Sequence, residues 1–373
     1  MWKKNNMIKS VYIHIPFCNK ICSYCDFCKM FYNKNLVNKY LEELEKEINN
    51  TYKNEVLDTI YIGGGTPSSL DIEELTKLFS ITDKFIKSKN IEFTIECNFD
   101  SITKDKIDLF IKHGINRISF GLETTNKKFE EYLNRNIDLN KVEEIISYCK
   151  EKKLLNINID LIYALKNQTI NDLEKDLNYI IKLDVAHISI YSLIIEDNTL
   201  LAINNEKNIS EDLDYEMYKY IYNYLNKFNY IHYEISNYSK DGYQSKHNSC
   251  YWNNDKYYGF GLGASSYIDN KRITNTRSIT KYLEGLYVKD VEDIDIKADI
   301  EYEIILNLRK REGINLNKFK TKFNKELREL YNYDDLIKQE LLVCIDNHLL
   351  IPEDKWYISN EIIVKILGSE IDG

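Results

Sequence analysis

Long apolar runs are missing from this 373-residue chain. No stretch approaches the ~18 consecutive apolar residues of a bilayer-crossing helix, so a transmembrane segment is not expected. The opening run Met1-Trp2-Lys3-Lys4-Asn5-Asn6 lacks the apolar core of a secretory signal, which points to the cytoplasm. An excess of positive charge is missing too: 50 Lys and Arg face 59 Asp and Glu, a formal charge of −9. That balance argues against nucleic-acid partners, which call for a basic surface. Eight cysteines are too few and too scattered for a disulfide framework. Three prolines beside thirty tyrosines and many asparagines read as AT-rich codon usage rather than as function. Internal repeats, low-complexity tracts and long linkers are lacking. What remains, 43% hydrophobic residues over this length, suffices for one large domain and a small one.

Four of the eight cysteines are bunched. Cys18, Cys22 and Cys25 stand at C-x3-C-x2-C spacing directly after the strand-like run Tyr12-Ile13-His14-Ile15. Thiolates are the usual ligands of iron–sulfur clusters, and so short a loop can wrap three of them around one cube. The spacing therefore suggests a [4Fe–4S] cluster with one iron open to a second molecule. Cys25-x2-Cys28 after Cys18-x3-Cys22 also suits a closed tetrahedral zinc site, and the thiols alone leave both readings open. Cys97, Cys149 and Cys344 lie in apolar stretches and are expected to be buried small hydrophobes.

Strand-like, isoleucine-rich runs at 11–15, 59–62, 92–96, 117–120, 156–162, 187–191 and 231–234 alternate with helix-like runs at 38–49, 72–87, 104–112, 141–152, 171–183 and 212–228. Such alternation builds an α/β fold with a parallel sheet and outer helices, as a doubly wound sheet or a barrel. After the second run comes Gly63-Gly64-Gly65-Thr66-Pro67. Successive glycines let the backbone approach a ligand closely. No Gly-Lys-Ser/Thr follows, so this is not a phosphate loop.

The cysteine spacing resembles the signature of the radical S-adenosylmethionine (SAM) superfamily. Tyr-x-His-Ile-Pro-Phe-Cys followed by Tyr-Cys-Asp-Phe resembles the branch that holds oxygen-independent coproporphyrinogen III oxidases and the HemW-type heme chaperones. The resemblance implies a partial (β/α)6 TIM-like barrel. It also implies a [4Fe–4S] cluster on Cys18, Cys22 and Cys25, SAM chelating the open iron, and an electron donor for the cluster. In such enzymes the reduced cluster cleaves SAM to methionine and a 5′-deoxyadenosyl radical, while the protein orients SAM and shields the radical. Sites on such folds gather at the C-terminal ends of the strands, where this sequence has Cys18, the Gly63–Thr66 loop, Glu96, Glu123, Asp160 and Tyr191-Ser192.

Residue by residue, the resemblance implies that Gly63, Gly64, Gly65 and Thr66 meet the SAM amino group and that Tyr12 and Tyr24 flank SAM. It further implies that Glu96 accepts from the ribose hydroxyls, that Arg135 meets the SAM carboxylate, and that Asp160 lines the pocket. For each charged residue the plainer reading is a rim ion pair. Two departures stand out: Glu123 replaces a usual Gln, and Ala164-Leu165-Lys166-Asn167 replaces Gly-Leu-Pro-Gly.

Asp26-Phe27 after the third thiol follows the chaperone pattern. With 17 residues before Cys18, the N-terminal segment by which the oxidases hold a second SAM is not expected. His247-Asn248-Ser249-Cys250-Tyr251-Trp252 resembles the chaperones' His-Asn-x-x-Tyr-Trp motif, which implies heme attachment at His247. The alternative is a structural histidine. The expected function is to bind heme as cargo and pass it to client hemoproteins, membrane-associated ones among them. The enzyme alternative is oxidative decarboxylation of coproporphyrinogen III, and radical chemistry on another substrate is a further one. Residues 1–280 are expected to form the core barrel with its extension, and 281–373 a small winged-helix-like domain of helices (298–311, 319–323, 334–342) and a hairpin within 350–358. In that C-terminal stretch 14 Lys and Arg face 20 Asp and Glu, which disfavours a duplex partner despite the fold.

Overall fold

The computed structural model describes residues 7–371; the signal-free reading of Met1–Asn6 falls outside them. Six strands run parallel in chain order: β1 (Ser10–Ile15), β2 (Val56–Gly64), β3 (Ile86–Asn98), β4 (Arg117–Glu123), β5 (Asn156–Tyr163) and β6 (His187–Ser192). The helices that follow them are α1 (Lys34–Thr51), α2 (Ile72–Thr82), α3 (Lys104–Lys112), α4 (Leu139–Glu151), α5 (Ile170–Leu183) and α6 (Glu211–Lys227). Each starts on a side-chain cap, such as the Asp71–Glu74 and Thr169–Asp172 capping boxes, which satisfy otherwise orphaned N–H groups. The expected helix over 72–87 stops at Thr82, and Ile86 already belongs to β3.

Two-residue periodicity gives the sheet two different faces. Val11, Ile13, Ile60, Ile62, Phe93, Ile95, Ile118 and Phe120 are buried in one apolar core with α1 to α5. The alternate positions are polar, including Glu96 and Asn98 on β3, Arg117 and Ser119 on β4, Asn158 and Asp160 on β5, and Ser189 on β6; these line a cavity.

The sheet continues on both sides. β7 (Ile231–Glu234) and β8 (Asn237–Ser239) extend it antiparallel beyond β6. On the other side β9 (Tyr257–Phe260) runs parallel to β1. Antiparallel β10 (Ser265–Ile268), β11 (Lys271–Asn275) and β12 (Val288–Asp293) follow it. The order is β12-β11-β10-β9-β1-β2-β3-β4-β5-β6-β8-β7, and among the described residues the two edges do not pair, so the barrel is partial. A further helix, α7 (Lys246–Trp252), precedes β9. No helix among the described residues is long and apolar enough to cross a membrane.

A second apolar core runs from Ile300 to Ile366 around Trp356, whose indole N–H donates to the Ile351 carbonyl at 3.0 Å. It joins helices Ile296–Asn307, Leu316–Phe323 and Ser359–Leu367 to a sheet of three short antiparallel strands, a winged-helix-like arrangement. The hairpin lies earlier than expected: Val343–Ile345 pairs with His348–Leu350 across Asp346-Asn347, both at positive φ, while 353–358 forms a 3-10 turn after Pro352. Cys97 and Cys149 are buried as expected, but Cys344 sits on this hairpin and is exposed. The unit docks along β7, where Ile235 N–H donates to Arg309 O at 3.1 Å and Arg311 N–H to Tyr233 O at 3.0 Å.

Candidate functional site

The three spaced cysteines leave β1 on a loop over the C-terminal ends of the strands, and all three thiols are free. They line one cavity of about 540 Å³ together with Tyr24, Gly64, Gly65, Thr66, Glu96, Glu123, Arg135 and Asp160. The sequence thus located residues that a single cavity brings together. Tyr12 and Gly63 stand just outside its lining. The Tyr12 hydroxyl is 2.9 Å from His14 Nδ1, and a Cβ on Gly63 would lie 2.8 Å from the Glu96 carboxyl carbon.

The glycine loop is shaped by contact. Gly64 has φ +120°, and a Cβ on Gly65 would stand 2.9 Å from Cys18 Sγ, so a side chain here would displace the thiol. Gly65 N–H donates to Ile15 O at 2.8 Å and Thr66 N–H to Phe17 O at 2.9 Å, which lashes this loop to the cysteine loop. The Thr66 hydroxyl lies 3.5 Å from Cys18 Sγ. Burial pushes the Cys18 thiol up to about 11 and raises Cys22 and Cys25, so without a metal all three stay protonated.

Two carboxylates share the floor. Glu96 accepts from the Tyr61 hydroxyl (2.7 Å) and from Gly64 N–H (2.9 Å), and burial raises it to about 7 against those bonds. Asp160 accepts from Asn158 Nδ2 (2.7 Å); burial, then the nearby Glu123 charge, raises it to about 6. At the rim Arg135 forms an ion pair with Glu123 at 2.5 Å, and both side chains are about nine-tenths buried. The Tyr24 hydroxyl donates to the other Glu123 oxygen at 2.9 Å.

His247 is elsewhere. It sits in α7, 1% exposed, outside the cavity lining. Its Nδ1 is 2.8 Å from Thr59 Oγ1 and its Nε2 is 2.7 Å from the Tyr251 hydroxyl, so both ring nitrogens are engaged. Burial, then the Arg117 charge, lowers its pKa to about 3. As folded, the imidazole offers no lone pair to an iron. Its ring stacks on Tyr61, centroids 5.1 Å apart, the residue that holds Glu96.

Sequence reasoning missed Tyr61, Asn98, Arg117, Asn158 and Ser189, which also line the cavity. The signal was available: polar residues recur at alternate positions over 92–98, 117–119, 156–160 and 187–189, while the positions between them are apolar, mostly isoleucine or phenylalanine. The mouth also carries exposed Phe27 and Ile194.

A family model of the radical SAM superfamily matches residues 12–180, and one of the HemN C-terminal domain matches 295–355. The chain is 35% identical to the heme chaperone HemW of Lactococcus lactis, covering 97% of this chain and 98% of that one. It is 34% identical to the Bacillus subtilis heme chaperone HemW, covering 97% and 100%. Among solved structures, coproporphyrinogen III oxidase (HemN) from Escherichia coli superposes with a TM-score of 0.85 over 97% of this chain and 90% of that one. At 19% identity, that likeness establishes the fold alone.

Proposed function

We infer that this chain, which belongs to the HemW family of the radical SAM superfamily, binds heme and passes it to client hemoproteins, with a [4Fe–4S] cluster and SAM supporting that role. The observation that carries the reading is the cavity shared by three free thiols, a glycine loop packed against Cys18, and the polar set Glu96, Arg135 and Asp160. Superfamily membership implies the cluster and SAM, and the donor set fits: three soft thiols on one loop, beside a backbone cradle that a Cβ would fill. Cys18, Cys22 and Cys25 would hold the cluster. Gly63 to Thr66 would face the SAM amino group, Glu96 its ribose and Arg135 its carboxylate, while Tyr12, Tyr24, Glu123 and Asp160 would shape the pocket. The bound cofactors supply one-electron chemistry on the sulfonium; the chain binds, orients and excludes water.

Exposed Phe27 and Ile194 at the mouth suit the flat apolar face of a porphyrin. His247 is our candidate heme ligand, and because both its nitrogens are engaged, attachment there requires α7 to release it. Heme titration of the reconstituted protein tests this. Stoichiometric uptake that is lost in His247→Ala and kept in Tyr251→Phe, which frees Nε2, supports the ligand; uptake unchanged in His247→Ala removes it. The proposal extends to an electron donor for the cluster, clients that include membrane-associated hemoproteins, a cytoplasmic location and no nucleic-acid partner. It also extends to a core unit and a C-terminal unit, with their boundary just after Val288–Asp293, the last strand of the large sheet, rather than at 280.

Anaerobic incubation with SAM, a reductant and coproporphyrinogen III separates the chaperone reading from an oxidase. Decarboxylated product over many turnovers, followed by mass, would overturn our reading. 5′-Deoxyadenosine without decarboxylation would leave heme delivery standing.

A further inference from the structure

Arg135 lies between a thiol and a carboxylate. Its Nη1 is 3.6 Å from Cys22 Sγ, while Nη2 donates to Glu123 at 2.5 Å, to the Gly121 carbonyl at 2.8 Å and to Asn98 Oδ1 at 3.2 Å. Glu123 is fixed from two sides, since its second oxygen accepts from Tyr24, two residues after Cys22. Its backbone takes φ +64°, a left-handed conformation that a residue with a Cβ rarely adopts, at a register shift between β4 and β5. The segment carrying Arg135 also clasps the cysteine loop through Asn134 Nδ2 to Ile21 O (2.7 Å) and Ser23 N–H to Leu133 O (3.1 Å). The cation is therefore held in place next to one cluster-type thiol, with its counter-charge on the far side.

A nearby positive charge and an N–H directed at a ligating sulfur both favour the reduced form of an iron–sulfur cluster; a nearby carboxylate disfavours it. Both side chains are about nine-tenths buried, so these effects act at short range with little screening. We propose that Glu123 and Arg135 are a charge-balanced pair that sets the reduction potential of the cluster at Cys22, Arg135 raising it and Glu123 lowering it. The proposal rests on the reading that Cys18, Cys22 and Cys25 hold a [4Fe–4S] cluster. Neither residue needs to touch the iron; in this redox role Arg135 acts through Cys22 and Glu123 through Arg135, beside the contact with the SAM carboxylate proposed for Arg135.

The test uses the full chain, reconstituted anaerobically and titrated without SAM. Dithionite donates one electron per cluster for the 2+/1+ couple, and electron paramagnetic resonance reads the reduced form. Glu123→Gln leaves Arg135 unopposed and should shift the midpoint positive, whereas Arg135→Gln should shift it negative. The double variant, a neutral pair of similar size, should return towards the wild-type value. A merely structural clasp would move both single variants the same way, or leave both unmoved at wild-type iron content, and either result overturns the proposal. Loss of iron from Glu123→Gln under conditions that load the wild type would also overturn it, by making the pair a scaffold. If the wild-type chain itself takes up no iron and sulfide, the reading of the cysteines fails, and the pair's redox role with it. Iron analysis distinguishes that failure from the others.

Discussion

The two motifs that stand out in the sequence end in opposite surroundings. The thiols of Cys18, Cys22 and Cys25 open onto a cavity, whereas the imidazole of His247 is sealed in the sheet's interior with a partner on each nitrogen. The difference teaches that a motif can mark an open binding set or a closed strut, and that only the surroundings of its polar atoms tell which. The cysteine loop acts where it stands. On our reading the histidine would have to be released to bind a ligand; as folded, it stacks on Tyr61, which holds Glu96.

Four measurements break or sharpen that contrast. The largest effect belongs to the open motif: Cys22→Ser should abolish retention of a four-iron cluster while leaving the fold intact, and iron analysis with circular dichroism reads both. The closed motif should answer in stability. His247→Ala strands the Thr59 and Tyr251 hydroxyls and opens a cavity, at a cost of about 2–4 kcal/mol in urea unfolding. The histidine's pKa is about 3 when folded, below its ordinary value of 6.5, so the unfolded chain binds the extra proton in between. The histidine's contribution is therefore complete above pH 6.5 and is lost as pH falls towards 3, with a slope of about 1.4 kcal/mol per pH unit. His247→Gln should lower the overall slope by about that amount, the remainder coming from buried His14, His187 and His232, whose pKa values burial also lowers.

Glu96 tests the link between the two regions. The ionised carboxylate is the stronger acceptor for ribose hydroxyls, and this carboxyl is raised to about 7. SAM affinity of the reconstituted protein should be flat above that pH and fall up to about tenfold per unit below it. Glu96→Gln should bind weakly and lose the step near pH 7, leaving only what Asp160, raised to about 6, contributes; a variant that keeps a step near 7 would refute the assignment. The smallest effect is expected for Thr59→Val, which removes one buried hydrogen bond to His247 at about 1 kcal/mol. A larger loss would show that the closed motif is more tightly coupled than its geometry indicates.

Much of this was legible because it is local. The cysteine spacing, the glycine loop and the alternation of β1 to β6 with helices each reside within a few residues or one clear period. The strands β10 to β12 were not legible: Val288–Asp293 is exposed along its whole length, so it has no apolar alternation to detect. The hairpin was misplaced by a few residues because its turn is set by Asp346-Asn347 rather than by the apolar run around Pro352. The clasp that joins Arg135 to Cys22 and Glu123, and Glu123 to Tyr24, spans residues up to 113 apart in the chain, and no pattern in the sequence announces such a meeting. Nor could the motif around His247 reveal that Thr59, 188 residues earlier, would occupy its Nδ1.

The docking of the C-terminal unit along β7 has a consequence for how the molecule can be taken apart. The main-chain groups at Arg309 and Arg311 occupy ladder positions that a free edge strand would present to any passing chain. A protein shortened after residue 294 would keep its thiols and its cavity, yet display an unpaired β-edge. Self-association through that edge, rather than loss of cofactor, would then limit its lifetime in solution.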